Sequence, residues 1–410
     1  MTITRDHCVK LDARDPIAHL RDRFVLPDGI IYLDGNSLGA TPKIVVERMR
    51  QTVEQEWAHG LIRSWNEAGW YQAPRRVGAK IARLIGASAD EVVVTDSTSI
   101  DIFKCLVGAL KMRPGRPTIL SEADDFPTDA YIAQGVAEFT GTRFKRVATA
   151  DLIAAIDETV AVVLLTQVNY KTGLIHDMAR ITAAAHAKGA LIVWDLSHSA
   201  GALEIELNAA LADFAVGCGY KYLNGGPGAP AYVFVAKRHQ AAFRHPLTGW
   251  FGHSAPFDFA PDYEPADDIG KLLTGTPPML SLAALDAALD VFADVDMKAV
   301  RAKSVSLTEL FVALADTVLA RHGFAMASPR DASLRGSQVS LAHDEAYAIM
   351  QALIARGVIG DFRAPDIARF GLVPLYTRHV DVFDAVQVID GVMAARAWDT
   401  ADFRARKSVT

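Results

Sequence analysis

The sequence has few cysteines, no long basic run and no long apolar segment, which are the features that mark several large classes of proteins. It has three cysteines in 410 residues, Cys8, Cys105 and Cys218, which are too scattered for a disulfide framework or a metal cluster. No long basic run accompanies the net charge of −6, which argues against nucleic acid as a partner. The longest apolar stretches, such as 161–165, are too short to span a bilayer, and the first residues lack the apolar core of a signal peptide. These absences predict a cytoplasmic protein with no membrane partner.

Common catalytic motifs are missing as well. The 12 histidines form no HExxH motif and no close ligand pair with cysteine, so we expect no metal. No GxGxxG follows a predicted strand, which argues against a dinucleotide site. The absence of GxSxG removes the α/β-hydrolase interpretation.

Alternating strands and helices are the main pattern that is present. Hydrophobic residues make up 50% of the chain, which is ample for a big domain plus a smaller one. The predicted strands are 91–95, 118–120, 160–166, 190–195, 214–219 and 231–236, and helices at 100–111 and 177–189 are among those between them. This alternation predicts an α/β fold with a mostly parallel sheet sandwiched by helices.

The chain changes character after the last predicted strand. A segment rich in proline, glycine and aromatic residues, 245–268, predicts a long irregular excursion, and such loops are usually functional. A predicted helix at 277–295 and two helix-and-strand units follow. We therefore expect a large domain over 31–280 and a smaller α+β C-terminal domain over 281–410. The N-terminal segment 1–30 is expected to pack with the smaller domain.

Two polar residues follow neighbouring predicted strands. Asp195 ends the apolar strand 190–195, where open α/β sheets bind ligands, although it could equally cap a following helix. Lys221 lies past the next strand in an apolar run. Burial there would make it a nucleophile, unless it snorkels out of a loop. The pair is more informative, because pyridoxal 5'-phosphate (PLP) chemistry needs a lysine on the cofactor aldehyde and an acid at the pyridine nitrogen.

Two further segments fit such a cofactor. The hydroxyl-rich segment 96–99 lies between a predicted strand and a helix, where it would bind a phosphate, although an ordinary helix cap is the simpler interpretation. Phe126 follows the strand 118–120 and could stack on a flat ring. A Phe-Pro turn explains the same residues.

Six motifs carry a resemblance to a known family. They are YLDGNSLGATPK (32–43), FPTD (126–129), WDLSHSAG (194–201), GCGYKYLNGGPG (217–228), LTGWFGH (247–253) and VPLY (373–376). Over nearly its whole length the chain resembles the kynureninases, fold-type-I PLP enzymes of the aminotransferase class V superfamily. The resemblance implies the PLP-dependent transferase fold and a homodimer in which two subunits share each site.

The resemblance also implies a role for individual residues. The catalytic residues would be Lys221, which forms the Schiff base, together with Tyr220 and Asp195. PLP would be bound by Thr98, Ser99, Phe126, Pro127, Thr128, Asp129, Thr166, Asp195, His198, Tyr220, Lys221, Trp250 and Thr276. Tyr220 would either deliver a proton or only bind the phosphate.

Three parts of this assignment concern the neighbouring subunit and the substrate. Trp250 and Thr276 would serve the neighbour's cofactor, although Thr276 stands where the family often has asparagine. Arg369 would hold the substrate α-carboxylate through a bidentate pair. The loop 35–39 would border the pocket.

The reaction implied by the resemblance is the PLP-dependent hydrolysis of L-kynurenine, or of its 3-hydroxy form. The products would be anthranilate, or 3-hydroxyanthranilate, and L-alanine. The family works in tryptophan catabolism, in the kynurenine pathway that also leads to NAD biosynthesis.

Two alternatives to this reaction stay open. One is another class V enzyme, an aminotransferase or a cysteine desulfurase. A desulfurase needs a nucleophilic cysteine on a mobile loop late in the chain. The last cysteine here is Cys218, which we interpret as a small buried residue inside a strand. The other is a PLP-binding protein without turnover, which would have no need of Arg369.

Overall fold

Strands and helices alternate along the computed structural model, which describes residues 3–407. The strands are β1 (Ile31–Tyr32), β2 (Val92–Val94), β3 (Thr118–Glu122), β4 (Arg143–Val147), β5 (Val160–Thr166), β6 (Leu191–Asp195), β7 (Phe214–Cys218), β8 (Ala231–Val235), β9 (Ala325–Met326), β10 (Gln338–Ala342), β11 (Val358–Ile359), β12 (Asp361–Arg363) and β13 (Ile367–Gly371). The helices are α1 (Arg5–Asp12), α2 (Lys43–Gln51), α3 (Ser64–Glu67), α4 (Ala73–Leu84), α5 (Thr98–Met112), α6 (Pro127–Thr140), α7 (Met178–Ala187), α8 (Lys237–Gln240), α9 (Met279–Leu289), α10 (Met297–Leu314), α11 (Ala346–Ile354), α12 (His379–Ala394) and α13 (Ala401–Arg404).

The central sheet has seven strands in the order β2-β8-β7-β6-β5-β3-β4. Strand β8 runs antiparallel to both of its neighbours, and the other pairs are parallel. Every residue of β5, β6 and β7 is buried. Consecutive β5 residues such as Val162 and Val163 belong to different core clusters, because successive side chains point to opposite faces of a sheet. The mostly parallel α/β sheet predicted from the sequence is confirmed.

All six predicted strands are present, and one strand of this sheet was not predicted. Strand β4 has the sequence RFKRV, is largely exposed and lies at the edge of the sheet. Charged side chains on an edge strand hinder pairing with other chains. They also remove the apolar pattern by which a strand is recognised.

A second, antiparallel sheet has the order β12-β13-β10-β9 and its own apolar core. Helix α1 packs against α12, where Nε of Arg5 lies 2.8 Å from Oδ1 of Asp384. Strand β1 pairs with β11 in parallel. The N-terminal segment thus contacts the C-terminal part of the chain.

Helix α9 is the counterpart of the predicted helix 277–295, and it is shorter. It packs against α2 and α4, and its side chains Leu282 and Leu285 belong to a core cluster of the central sheet. Among residues 3–407, no helix is both long enough and apolar enough to cross a membrane.

Candidate active site

The carboxyl ends of β5 and β6 meet at one edge of the central sheet. Thr166, the last residue of β5, is in register with Asp195, the last residue of β6. Ser197 donates to Oδ1 of Asp195 from its backbone N (2.8 Å) and from its Oγ (2.6 Å). The chain continues after Asp195 as turns. The carboxylate therefore closes a local turn and does not cap a helix.

Lys221 follows β7 at the same edge and is 9% exposed. Its Nζ lies 2.9 Å from Nε2 of His198 and 5.6 Å from the centroid of the Phe126 ring. The amine therefore stays inside the protein and does not extend into solvent.

His198 is also buried, and its Nδ1 has no hydrogen-bond partner among the described residues. Burial lowers the pKa of His198 well below its usual value, and the charges of Lys221, Arg369 and Arg363 lower it further. A neutral imidazole that accepts from Lys221 through Nε2 carries its proton on Nδ1. His198 can therefore donate a hydrogen bond to a ligand.

The carboxyl groups of Asp129, Asp195 and Asp125 lie close enough together for their charges to influence one another. Burial raises the pKa of Asp129 well above its usual value, and the charges of Asp195 and Asp125 raise it further. Burial also raises the pKa of Asp195, but Lys221 opposes this effect. Like charges this close do not all ionise. Asp129 is therefore the member that keeps a proton, and Asp195 is the anion that faces Lys221.

The start of α5 has the character of an anion site. Ser97 precedes the helix at the N-cap position, and its side chain makes no capping hydrogen bond. The hydroxyls of Ser97, Thr98 and Ser99 line the same cavity as Lys221. Unpaired N–H groups at a helix start, together with hydroxyl donors, suit a phosphate.

These groups surround one cavity of about 250 Å³. Its lining includes nine of the residues predicted from the sequence: Thr98, Ser99, Phe126, Thr128, Asp129, Asp195, His198, Tyr220 and Lys221. Ser97, Ser197, Cys218, Ala229 and Ala231 also line it and were not predicted. The Ser-Thr-Ser run at 97–99 was a sequence signal for Ser97, whereas nothing in the sequence singled out the two alanines.

The cavity presents buried polar atoms that match the parts of PLP. His198 Nδ1 and Asp129 Oδ2 lack partners among residues 3–407, as does Oγ1 of Thr166 at the end of β5. Buried polar groups are rarely left unpaired in proteins without a reason such as a missing ligand. An amine for an aldehyde, an anion for a pyridinium and a helix start for a phosphate make the residue set a fit for PLP.

Four predicted cofactor residues are absent from this lining: Pro127, Thr166, Trp250 and Thr276. Pro127 is the first residue of α6, where it shapes the turn that presents Phe126. Trp250 is 39% exposed, and Thr276 is exposed as well. Within one chain, these two residues do not reach the cavity around Lys221.

The loop 35–39 contacts the segment that carries Lys221. Gly39 donates from its backbone N to the carbonyl of Tyr220 (2.8 Å), and a Cβ on Gly39 would clash with the carbonyl of Lys221 and with Asn224.

The neighbouring Cys218 raises the pKa of Tyr220, and burial raises it further. Tyr220 therefore keeps its proton and acts as a donor.

Arg369 lies on β13 and is 1% exposed. Its Nε donates to Oδ1 of Asp361 (2.8 Å), and its Nη2 contacts Oδ2 of the same carboxylate. The bidentate pair expected with a substrate is thus made with Asp361. Asp361 was not predicted as a site residue, because the sequence does not reveal which residue stands opposite Arg369 in the sheet.

Several solved structures have a similar fold, and one of them carries PLP. A cysteine desulfurase from Thermococcus onnurineus NA1 superposes with a TM-score of 0.78 at 20% identity, over 92% of this chain and 98% of that chain. The desulfurase CsdA of Escherichia coli gives 0.76 at 22% identity, over 92% and 98%. A C-DES mutant with glycine covalently linked to its PLP gives 0.76 at 16% identity, over 90% and 99%. The fold is therefore that of the fold-type-I PLP enzymes.

Closer relatives match in sequence along the whole chain. A family model described as the kynureninase C-terminal domain matches residues 300–389. Kynureninases of Burkholderia mallei and Burkholderia pseudomallei are each 51% identical over 414 residues, which is 99% of this chain and all of those proteins. The kynureninase of Pseudomonas fluorescens is 50% identical over the same shares. At this identity over the full length, the chain belongs to the kynureninase family.

Proposed function

We propose that Lys221, Asp195, Tyr220 and Arg369 carry out the family's reaction, the PLP-dependent hydrolysis of L-kynurenine to anthranilate and L-alanine. The protein is a hydrolase that acts on a carbon–carbon bond next to a ketone. The 3-hydroxy form of the substrate is proposed as a second substrate. The observation that carries the proposal is the convergence of Lys221, His198 and Asp195 in one buried cavity.

The cofactor supplies an electron sink for the negative charge that develops on the substrate when bonds at its α and β carbons break. Lys221 would hold the cofactor aldehyde through its buried amine, and Thr98 and Ser99 would hold the phosphate. Phe126 would stack on the ring, and His198 would donate from Nδ1 to the ring oxygen. All five residues line the same cavity.

Proton movements are assigned to the residues beside the amine. Asp195 would keep the pyridine nitrogen protonated. Asp129 would keep its own proton and would thereby limit the negative charge near that nitrogen. Lys221, once released, would move the α proton of the substrate. Tyr220 keeps its phenolic proton. It would either deliver this phenolic proton to the substrate or use it in a hydrogen bond to the phosphate.

A shared site between two subunits is the best explanation for Trp250 and Thr276. Both residues are exposed in one chain and are absent from the lining of its cavity. A homodimer would bring them to the neighbour's cofactor. Mixing Lys221→Ala subunits with Trp250→Ala subunits tests this arrangement, because a shared site regains activity in the mixed dimer and an unshared site does not.

The division of the chain is also a proposal. The sequence predicts a large domain over 31–280 and a small domain over 281–410, with segment 1–30 joining the latter, and the proposal differs from it only at the boundary. The packing of α9 against α2 and α4 favours a start of the small domain beyond α9. A cytoplasmic location is proposed because the three cysteines are free and buried.

Release of anthranilate tests the function directly. The holoenzyme is incubated with L-kynurenine and, in parallel, with 3-hydroxy-L-kynurenine, and the fluorescence of the product is followed. We expect turnover of at least one substrate. No product from either substrate would support a PLP-binding protein without turnover.

A further inference from the structure

The sheet register places one carboxylate between two arginines. Strands β12 and β13 are antiparallel, with Asp361 directly opposite Arg369. Directly opposed residues in such a pair have neighbouring side chains, and residue i+2 of a strand lies on the same face. Arg363 is two residues beyond Asp361, and its Nη2 lies 2.7 Å from Oδ2 of Asp361.

Arg369 has most of its donors already engaged. Besides its two contacts with Asp361, it donates from Nη1 to the carbonyl of Tyr170 (2.6 Å) and from Nη2 to Oγ of Ser37 (2.8 Å). A guanidinium has five N–H donors. With the described residues as partners, one donor on Nη1 is left for a substrate.

Ser37 holds the cluster together from the loop 35–39. Its Oγ donates to Oδ2 of Asp361 (2.6 Å) and accepts from Nη2 of Arg369 (2.8 Å) and Nη2 of Arg363 (3.2 Å). One donated and two accepted bonds use the full capacity of a hydroxyl. Ser37 is therefore occupied by the cluster and is not available to a ligand.

Arg363 is the more accessible of the two arginines. Its side chain is 32% exposed, against 1% for Arg369. Its Nη1 donates to the carbonyl of Phe362 (3.1 Å), and its Nε and one further N–H have no partner among the described residues. Burial raises the pKa of Asp361, but the charges of Arg369 and Arg363 outweigh burial and keep it below its usual value. Asp361 is thus an anion shared by both guanidinium groups.

We propose that the substrate α-carboxylate is bound by Arg363 together with the remaining Nη1 donor of Arg369, and that Asp361 is the positioning residue that holds the two guanidinium groups side by side. This inference rests on the proposed function, since it requires a substrate with an α-carboxylate. Asp361 occupies the Nε–Nη2 edge of Arg369, so that arginine by itself offers one bond. A second cation supplies the other bond.

The test compares two inhibitors of similar shape, of which one carries a negative charge and the other is neutral. 3-Benzoylpropionate has a ketone and a carboxylate, and 3-benzoylpropanamide carries a neutral amide in place of the carboxylate. Their inhibition constants, Ki, are measured on the holoenzyme by competition with L-kynurenine and by the change in the visible absorption of bound PLP. The second readout works without turnover.

For Arg363→Gln we expect the KM for L-kynurenine and the Ki of the carboxylate inhibitor to rise about tenfold, the effect of losing one charged hydrogen bond. The kcat should change less than about threefold, and the Ki of the amide should stay the same. Arg363→Lys should recover part of the loss because it restores the charge. The matched control is Arg356→Gln, because Arg356 is exposed and its Nη1 donates a hydrogen bond to the carbonyl of Ala352.

Asp361→Asn separates positioning from a general structural role. We expect it to raise the KM and the carboxylate Ki while the PLP absorption and the amide Ki are kept. Equal loss of both inhibitors would assign Asp361 a structural role and overturn the proposal. An unchanged carboxylate Ki in Arg363→Gln would overturn it as well. If the wild-type holoenzyme releases no anthranilate, the function fails, whereas inhibitor binding still tests Arg363.

Discussion

Nζ of Lys221 lies 2.9 Å from Nε2 of His198. Both side chains are buried, and burial lowers the pKa of His198 well below its usual value. The neutral imidazole therefore accepts from the amine and keeps Nδ1 free to donate. This contact gives Lys221 a fixed position at the edge where the strands β5, β6 and β7 end.

Lys221→Ala should remove the visible absorption band of lysine-bound PLP and reduce kcat below detection, because no other lysine among residues 3–407 lines the cavity. Absorption spectra and the anthranilate assay check this expectation. The matched control is Lys303→Met, which removes another buried lysine, paired with Asp15, and should keep the band. Retention of band and activity by Lys221→Ala would refute the assignment.

Arg369→Lys should raise the KM for L-kynurenine by about tenfold or more while PLP stays bound. A lysine keeps the positive charge but cannot reproduce the planar fork that meets Asp361 and Ser37. Steady-state kinetics and the PLP spectrum measure the two effects separately. Arg335→Lys is the control, since that buried arginine contacts Glu309 instead. Loss of PLP from Arg369→Lys would show that this arginine serves the cofactor.

The charge of Asp34 should make substrate binding depend on pH. Burial, followed by the charge of Asp361, raises the pKa of Asp34 to about 7. Below that pH the carboxyl is neutral, and above it a negative charge lies near Arg369. The Ki of 3-benzoylpropionate, whose own carboxylate is ionised throughout, should therefore rise by up to about tenfold between pH 6 and pH 8. Asp34→Asn should flatten this profile; an unchanged slope in that variant would assign the titration to another group.

Asp213 should stabilise the fold at neutral pH. It is 1% exposed and accepts from His186 (2.8 Å), His239 (2.7 Å) and Arg238 (2.8 Å). Burial raises its pKa, but the hydrogen bonds from His186 and His239 outweigh burial and leave the pKa below its usual value. A carboxyl with a depressed pKa contributes its full stability above its unfolded pKa of about 3.9, and this stability is lost progressively as the pH falls from there through the lower pKa of the folded state.

Asp213→Asn should therefore lower the thermal midpoint by several degrees at pH 7, in line with the roughly 3–5 kcal/mol for breaking a buried pair. The difference should shrink at pH 3.5. Calorimetry at both pH values measures it. Asp294→Asn, which breaks the more exposed pair with Arg23, should change the midpoint little. A pH-independent effect of Asp213→Asn would point to packing as the cause.

Gly39→Ala should weaken PLP binding. The added Cβ would clash with the carbonyl of Lys221 and with Oδ1 of Asn224, so the loop 35–39 and the Lys221 segment must move apart. Titration of the apoprotein with PLP, followed by absorbance, gives the affinity. Gly391→Ala is the control, because a Cβ there meets no atom within 4 Å. Equal affinities in the two variants would mean that the loop does not position Lys221.

The sequence was sufficient for the features that depend on local pattern. Apolar runs alternating with amphipathic helices predicted the parallel sheet, because strands buried on both faces must be apolar throughout. The strand ends at Asp195 and near Lys221 indicated a ligand site, since the carboxyl ends of parallel strands lie at one edge. The motifs at 194–201 and 217–228 then indicated the family.

The tertiary structure decided the features that depend on contacts between distant segments. Asp361 lies eight residues before Arg369, and only the strand register makes the two side chains neighbours. Ser37 reaches the same cluster from more than 300 residues away in the chain. The pKa shifts of Asp34, Asp129 and His198 arise from burial, which a chain acquires only when it packs. By itself, the sequence determined which elements form and which chemistry is present, because these follow from local pattern, whereas packing decided which charges face one another.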